Sequence, residues 1–342
     1  MGAARGRDRG MSATTPAEHA PPGKTPPWDP APHRGEHADL LRVQVGATEV
    51  ARYVDGAGSP AFDSPRPHLH PVRTRTGIIV TDASPADHTW HAGLGVAVQD
   101  VDGANLWGGR TYLPGPGYTW RHDHGHIEHR EWLRRAPGGV RHRLAWTGPT
   151  GEVLLDEVRE LHWALLDDES WRLEVSFTLT LPAARTTPVE LGSPGSHGRP
   201  LAGYGGMLWR LPPCDDVDLR TPSACGEDAV HGSRPDDGAR WLAWSARARP
   251  AGPNGQGGEF TVMVAPVDEA TAADPWFVRV RSYPAIGSAL AWSAPVEVSH
   301  GRPLRRAFTF VVADGRWPDD RVTGAMTSTR PGATWPTPPS AA

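Results

Sequence analysis

The chain has 342 residues, of which 38% are hydrophobic and 22% are charged, a balance typical of globular proteins and not of disordered or fibrous ones. Its 35 basic and 39 acidic residues give a net charge of −4, so the charge gives no reason to expect a nucleic-acid partner. No run approaches the ~18 uninterrupted apolar residues of a membrane-spanning helix, so no membrane association is expected either.

The two ends of the chain differ in composition from the rest. Residues 1–37 are rich in Pro, Ala, Gly and charge without apolar periodicity, so we expect them to be disordered. They lack the apolar core of a secretory signal, which predicts a cytoplasmic protein whose Cys214 and Cys225 are reduced thiols. Residues 318–342 are expected to form a flexible tail. The sequence thus predicts one domain over residues 38–317.

Within that domain, short apolar runs alternate with turn residues such as Asp102-Gly103. Seven runs have the pattern of β-strands, namely residues 41–45, 153–163, 171–181, 241–246, 260–265, 277–280 and 307–312. No segment shows a sustained apolar pattern at helical spacing with caps at both ends. The fold class is therefore predicted as all-β, a large two-sheet antiparallel β-sandwich of the supersandwich or jelly-roll kind.

Histidine is concentrated in one part of this domain. Eight of the sixteen histidines fall between residues 68 and 129, where an even spread would place far fewer. They are His68, His70, His88, His91, His122, His124, His126 and His129. Imidazoles beside carboxylates serve as metal ligands or as acids and bases near neutral pH, and the sequence leaves both roles open. A divalent metal held by His88, His91 and His124 is one such possibility.

The segment from residue 122 to residue 130 is predicted to be a strand. Side chains alternate across a strand, so His122, His124, His126 and Glu128 should share one face. His129 should then face the other way, and only a bulge at Gly125 would let it join Glu128 in one pocket.

At four places the sequence resembles the PmoA-like family, bacterial proteins described as "methane oxygenase PmoA" or as a domain of unknown function. These places are Arg66-Pro67-His68 to Gly77, Asp87-His88-x-x-His91-x-Gly93-Leu94, Gly125-His126-Ile127-Glu128-His129-Arg130, and Gly203-Tyr204-Gly205-Gly206 followed by Arg210-Leu211-Pro212. The resemblance implies a galactose-mutarotase-like supersandwich and a role in carbohydrate catabolism. It also implies a functional association with sugar dehydrogenases of the Gfo/Idh/MocA type, and favours His88, His91 and His129 as shared positions.

Other residues near the histidines suit a sugar, whose CH faces stack on indole rings and whose hydroxyls bind to charged and polar groups. The residues assigned to substrate binding are His68, His70, Trp90, Trp107, Arg110, Arg130 and Tyr204.

The leading functional hypothesis is an enzyme of the lyase or isomerase class acting on a sugar or a keto sugar. Glu128 or His126 would be the base, with His88 and His91 as acid or oxyanion stabilisers. His129 is a further catalytic candidate, because the family resemblance favours it. Elimination, hydration or epimerisation would each need such groups, and a divalent metal would polarise the carbonyl.

Two alternatives are a carbohydrate-binding or mutarotase-like module without lyase chemistry, and a cupin-type metal-dependent oxygenase. The second rests on the spacing His122-x-His124-x-x-x-Glu128, although the flanking glycines of the cupin motif do not match. The sequence contains no phosphate-binding glycine loop or dinucleotide fingerprint, so no nucleotide cofactor is expected.

Overall fold

The computed structural model describes residues 25–29, 34–235, 240–250 and 256–328. Its strands are, in chain order, β1 (Asp39–Val45), β2 (Thr48–Val54), β3 (His68–Val72), β4 (Leu94–Ala97), β5 (Asp100–Val101), β6 (Thr111–Leu113), β7 (Gly117–Thr119), β8 (His126–Ala136), β9 (Gly139–Thr147), β10 (Val153–Leu165), β11 (Ser170–Thr180), β12 (Val189–Gly192), β13 (Gly206–Arg210), β14 (Cys214–Arg220), β15 (Leu242–Ala248), β16 (Gly258–Pro266), β17 (Trp276–Arg279), β18 (Ala285–Ala289), β19 (Val296–Val298) and β20 (Leu304–Asp314). The helices are η1, a 3-10 turn (Ala61–Asp63), and α1 (Glu227–Val230), α2 (Glu269–Ala272) and α3 (Asp319–Ser328).

The strands form two large sheets and two small ones. The first large sheet has seven strands in the order β1-β2-β3-β4-β13-β18-β17, and the second has eight in the order β14-β15-β16-β20-β11-β10-β9-β8. Every strand pair in the two large sheets is antiparallel. The small sheets are β19-β12-β5 and β6-β7. The predicted all-β, two-sheet antiparallel sandwich is confirmed, and each predicted strand overlaps an observed one.

Apolar side chains from both large sheets meet in one core between them. Trp209 on β13 and Phe310 on β20 bring the sheets into contact, with ring centroids 5.3 Å apart. The indole of Trp171 on β11 is fully buried and donates to the carbonyl of Arg73 at 2.8 Å, across the same interface. Burial alternates along β11, as the sequence pattern predicts. Each large side chain buried here contributes about 2 kcal/mol to folding.

The outer face of the eight-stranded sheet is covered by the end of the described chain. Val322 and Met326 of α3 pack with Trp241, Trp317 and Met263 in a separate apolar cluster. The loose tail predicted to begin at residue 318 therefore starts with a packed helix, because this face of the sheet needs an apolar cover. Residues 329–342 and most of residues 1–33 lie outside the described residues, and the domain boundaries stay predictions.

A buried polar chain crosses the core. Arg159 donates to both carboxylate oxygens of Glu157, at 2.6 and 2.9 Å, and to the hydroxyl of Tyr53 at 3.1 Å. That hydroxyl also contacts Nε2 of His142 at 3.2 Å. All four side chains are at most 2% exposed. Because each charge and hydroxyl has a partner, the core tolerates them, whereas removal of one partner would leave a buried charge uncompensated.

The outer face of the seven-stranded sheet, the side turned away from the core, carries a different set of residues. Alternation along β13 sends Met207 and Trp209 to the core, and Leu208 and Arg210 to this outer face. Leu208 packs there with the small side chains of β4 and β18 and with aromatic rings from loops. The candidate site lies on this outer face, where strand residues and loop residues pack together.

Candidate active site

The site is built around a turn that runs from residue 87 to residue 91. The amide of His91 donates to the carbonyl of His88 at 2.9 Å, so that the two side chains emerge on the same side. Their rings stack with centroids 4.7 Å apart and planes 15° apart. Spacing at i and i+3 therefore brings these two predicted site residues together, as expected from one turn of chain.

Asp87 connects this turn to the sheet. Its Oδ2 lies 2.9 Å from Nδ1 of His88, and Nη2 of Arg210 donates to both of its oxygens at 3.1 Å. Burial opposes ionisation, but the hydrogen bond with His88 and the charge of Arg210 outweigh it and lower the pKa of Asp87 to about 2. The carboxylate is therefore ionised near neutral pH and can only accept hydrogen bonds. It follows that Nδ1 of His88 carries a proton.

His91 lies beneath His88 and is 2% exposed. Burial, then the charges of His88, Arg210 and Arg66, lower the pKa of His91 well below its usual range. The ring of His91 is thus neutral near neutral pH. Within the described residues Nδ1 of His91 and Nε and Nη1 of Arg210 are buried without a hydrogen-bond partner.

Tyr283, from the loop between β17 and β18, closes the group. Its ring lies 4.6 Å from that of His88 and 5.0 Å from that of His91. The guanidinium carbon of Arg210 lies over the same ring at 5.0 Å. The order of the strands, with β4, β13 and β18 side by side, brings these three chain segments together.

Trp90 stands beside His88, with ring centroids 5.2 Å apart. A Gly108-Gly109 turn holds it, and both glycines have positive φ values, of 99° and 71°. A Cβ at Gly109 would lie 2.6–2.8 Å from three atoms of the indole, so only glycine fits this close approach. Arg66 donates to the carbonyl of Trp90 at 2.7 Å and to that of Trp107 at 3.0 Å. The glycine turn thus holds the indole of Trp90, and Arg66 holds its backbone.

A second aromatic wall extends away from His91. Trp107 lies 5.8 Å from His91 and 4.8 Å from Tyr204, measured between ring centroids. The Tyr204 hydroxyl accepts from Gln99 at 2.7 Å and lies 2.9 Å from the hydroxyl of Tyr118. The predicted substrate-binding residues Trp90, Trp107 and Tyr204 therefore belong to one group of rings with His88 and His91, in which Trp107 and Tyr204 are themselves buried.

His126 and Glu128 lie elsewhere, on the partly exposed side of β8. Nε2 of His126 is 3.6 Å from Oε1 of Glu128, and Nη2 of Arg130 is 2.6 Å from the same oxygen. Among the described residues, their ion pairs and hydrogen bonds do not include the His88–His91 turn. The structure therefore places the residues predicted as the base in a separate surface ion-pair group.

The predicted strand from residue 122 is too long, because β8 begins at His126. His124 lies before it, and its Nε2 contacts the carbonyl of Gly109 at 2.6 Å. The ring of His122 packs against Trp28 at 3.9 Å. The expectation that His122, His124, His126 and Glu128 share a strand face is therefore wrong.

His129 faces inward from β8, and its Nδ1 lies 3.0 Å from Nδ1 of His142, at the end of the buried polar chain. Burial, then the charge of Arg135, lowers the pKa of His129. Irregularities in the β8–β9 register occur after His129 and after Trp132, not at Gly125. His129 and Glu128 therefore do not line one pocket.

The remaining residues predicted to bind substrate make contacts within the protein instead. Nδ1 of His68 lies 2.9 Å from the carbonyl of Arg66, and Nδ1 of His70 lies 3.0 Å from Oγ1 of Thr81. Burial lowers the pKa of His68 to about 3 and that of His70 to about 4. Arg110 lies over the ring of Trp120 at 5.7 Å. The eight histidines thus fall into several separate contacts instead of one cluster.

No group of three or more His, Cys, Asp or Glu side chains in the described part of the chain is arranged to hold a metal ion. His124 is accordingly not grouped with His88 and His91. Cys214 and Cys225 are both free thiols. None of the helices within the described ranges is long and apolar enough to span a membrane.

Sequence reasoning missed Asp87 within the turn and Arg210 and Tyr283 beside it. It also missed Tyr118 and Arg199, which lie beside Tyr204. Asp87 directly precedes His88 and Arg210 stands in the glycine motif, so a local signal for both existed. Tyr283 lies in a loop without any motif, and only the order of the strands brings it to His88. Arg199 also lies in a loop without a motif, and it donates to the hydroxyl of Tyr118 at 2.6 Å.

Three comparisons relate the chain to known proteins. No curated protein shows significant similarity to it. Among solved structures, it is similar to a crystal structure from Escherichia coli K12 described as a "Putative aldose 1-epimerase", with 10% identity and a TM-score of 0.36. That match covers 82% of this chain and all of the other one.

A family model gives the assignment. The model described as "Family of unknown function (DUF6807)" matches residues 40–327, which is most of the chain. The resemblance to a PmoA-like family is therefore wrong, because the matching model is this one and not a PmoA family. The chain belongs to the DUF6807 family, a family of unknown function.

Proposed function

We propose that this protein is a carbohydrate isomerase that moves a proton on a sugar bound at the outer face of the seven-stranded sheet, with His88 as the acid–base group. The observation that carries the proposal is the pairing of Asp87 with His88, 2.9 Å apart, inside an aromatic surface. A carboxylate that fixes one ring nitrogen leaves the other free to exchange a proton with a substrate.

The protonation states follow from these contacts. With Nδ1 donating to Asp87, neutral His88 has its lone pair on Nε2, which makes that atom the base. After Nε2 takes a proton, the positive ring is stabilised by the ionised carboxylate of Asp87. His91 stays neutral, so no second positive ring opposes the charge on His88.

Arg210 supports the pair of Asp87 and His88 through its contact with Asp87. It holds Asp87 with two hydrogen bonds and contributes to keeping that carboxylate ionised. Asp87 and Arg210 are positioning residues in this proposal, and His88 is the catalytic residue. The side chain of His88 is 27% exposed, which leaves room for a substrate to approach.

The rings around His88 suit a carbohydrate. The partly exposed ring of Trp90 lies beside it, and the buried rings of Tyr283, Trp107 and Tyr204 pack with the turn. Indole and phenol rings stack on the CH faces of sugars, while their polar atoms bind hydroxyl groups. A sugar held there would place a carbon or an anomeric hydroxyl next to His88. At a carbon next to a carbonyl, Nε2 removes the proton to give an enolate, and return of the proton to the same face exchanges it without inversion. Epimerisation requires that the enolate take a proton on its opposite face, from water or after the enolate turns over.

The test measures proton exchange directly and does not require a known product. The protein is incubated in D2O with aldoses, ketoses, glucosides and 3-keto glucosides, and ¹H NMR follows loss of CH signals and exchange between anomers. Parallel samples with chelator report whether a divalent metal takes part. In His88→Asn the amide can still bond to Asp87 but Nε2 is lost, so the rate should fall ~100-fold or more.

His300→Asn is the matched control, since His300 is exposed and its Nε2 contacts the carbonyl of Arg185, far along the chain from the His88–His91 turn. It should leave the rate unchanged. Equal rates for His88→Asn and the wild-type protein would overturn the proposal. Sugar binding without any exchange would favour the carbohydrate-binding module instead.

A further inference from the structure

A short segment ahead of β1, residues 34–37, lies against the body beside the candidate site. We call it the amino-terminal arm. The amide of Gly35 donates to the carbonyl of Gly58 at 2.9 Å, and the amide of Gly58 donates back to Nδ1 of His37 at 3.2 Å. The ring of His37 also packs edge-on against His68, with centroids 5.6 Å apart. The arm is thus fastened to the loop before η1.

Arg34 reaches from this arm to two residues that hold the His88–His91 turn. Its Nη2 lies 2.7 Å from Oδ2 of Asp63, and its Nη1 lies 3.4 Å from Oγ of Ser84. Oδ1 of Asp63 accepts from the hydroxyl of Thr89 at 2.9 Å, and Thr89 stands between His88 and Trp90.

Ser84, the second residue that Arg34 contacts, supports the other end of the turn. Its amide donates to the carbonyl of His91 at 2.8 Å. One guanidinium therefore bridges the two supports of the turn, the first at Thr89 and the second at His91. The ion pair with Asp63, at 2.7 Å, is the closer of the two contacts that Arg34 makes.

The ion pair between Arg34 and Asp63 neutralises a buried carboxylate. The Asp63 side chain is 1% exposed, and burial raises its pKa, an effect opposed by Arg34, by the hydrogen bond from Thr89 and by Arg66. Arg66 uses its own hydrogen bonds on the carbonyls of Asp63, Ser64, Trp90 and Trp107. Without Arg34, a buried carboxylate would lose its ion-pair partner, which forces protonation or movement.

We propose that Arg34 is a positioning residue for the candidate site, and that the amino-terminal arm is therefore part of the functional protein. This goes against the expectation that residues 1–37 are a disordered, separate segment. The inference rests on the proposed function only in taking the His88–His91 turn as the site. Its test can therefore follow the geometry of the turn independently of sugar turnover.

The experiment uses full-length Arg34→Met, with Arg34→Lys as the conservative variant. The readouts are the indole NH resonance of Trp90, assigned with Trp90→Phe, and the imidazole resonances of His88. Arg34→Met should shift or broaden both and lower proton exchange by about tenfold or more, because small displacements of reacting groups are costly. Arg34→Lys should restore both in part.

Arg42→Met is the matched control, since Arg42 is an exposed arginine that pairs with Asp39 at 3.0 Å. It should leave the resonances and the exchange rate unchanged. In an Asp63→Asn background, Arg34→Met should cause little further change, because no buried charge remains. That double variant also keeps the test valid if Arg34→Met alone does not fold.

Wild-type resonances of Trp90 and His88 in Arg34→Met would overturn the inference whatever the sugar activity. Equal effects of Arg34→Met with and without Asp63→Asn would overturn it as well. Absence of exchange in the wild-type protein would contradict the proposed function alone and leave the geometric test in force.

Discussion

Oδ2 of Asp87 lies 2.9 Å from Nδ1 of His88, the shortest described link between an acidic side chain and the stacked histidine pair. The two residues are adjacent in sequence, so a single turn sets their distance. Ionised Asp87 fixes which nitrogen of His88 carries the proton, and the stacked His91 fixes the plane of the ring. The orientation and the tautomer of His88 are thus set by its nearest neighbours.

Asp87→Asn should lower the proton-exchange rate of a responsive sugar by ~10² to 10⁴-fold, because the positive ring of His88 loses its counter-charge and its fixed tautomer. The loss should fall on kcat, with KM nearly unchanged. Steady-state kinetics by NMR measures both. A variant that raised KM alone would mean that Asp87 binds substrate instead of orienting His88.

His126→Asn and Glu128→Gln should each keep the wild-type rate within a factor of about two, because these residues form a surface ion-pair group and exposed pairs contribute little. The same exchange assay measures them. A hundredfold loss in either variant would return the acid–base role to β8, as the sequence alone suggests.

Gly109→Ala should displace Trp90, because its Cβ would lie 2.6–2.8 Å from the indole. Gly117→Ala is the control, since Gly117 has a similar φ of 76° with no atom within 4 Å of its Cβ position. Both lose about 1–2 kcal/mol of stability from the positive φ. Only Gly109→Ala should also weaken sugar binding, measured by tryptophan fluorescence. Equal binding by the two variants would contradict the role of Trp90.

The free energy of unfolding should fall as the pH drops below about 6.5. Burial, first of all, lowers the pKa of His68 to about 3 and that of His142 to about 2 in the folded protein. In the unfolded chain both take up protons near pH 6.5, so the unfolded state is favoured as the pH falls, by about 1.4 kcal/mol per pH unit for each histidine.

Urea unfolding between pH 7 and pH 4 measures this slope. His142→Asn should make it shallower, whereas His300→Asn should change it little because His300 is exposed. A slope that does not respond to His142→Asn would mean that His142 is protonated in the folded protein.

Val322→Ala should lower the free energy of unfolding by about 2 kcal/mol, because Val322 of α3 is fully buried against the eight-stranded sheet. The site lies on the other sheet, so proton exchange at 25 °C should be unchanged. Thermal unfolding and the exchange assay measure the two effects. An unchanged melting temperature would mean that the helix does not cover the sheet in solution.

The sequence predicts β11 well because burial alternates along it. It misses many of the shorter strands, such as β13 and β18, which are buried throughout. It also predicts the contact between His88 and His91, which are three residues apart. It cannot predict the pairing of β4 with β13 and of β13 with β18. Those long-range pairings bring Arg210 and Tyr283 to the histidines, and the printed sequence carries no local sign of them.

The error at His122 has a local cause. The amide of Gly125 donates to the carbonyl of Asn105 at 2.9 Å, so a connection to another loop replaces strand pairing just before β8. His124 then turns toward Gly109, although period-two alternation would place it beside His126. Alternation in the sequence predicts which residues share a face only within a continuous strand, and this strand does not begin until His126.

On β13, neighbouring residues serve opposite faces of one sheet, with Met207 in the core and Leu208 beneath the aromatic surface. Substitutions at the outer-face positions can therefore alter the packing of the rings around Leu208, while the core-facing positions preserve the sandwich. A library restricted to Leu208 and its outer-face neighbours would therefore vary the shape of the proposed site while the core that holds the two sheets together stays intact.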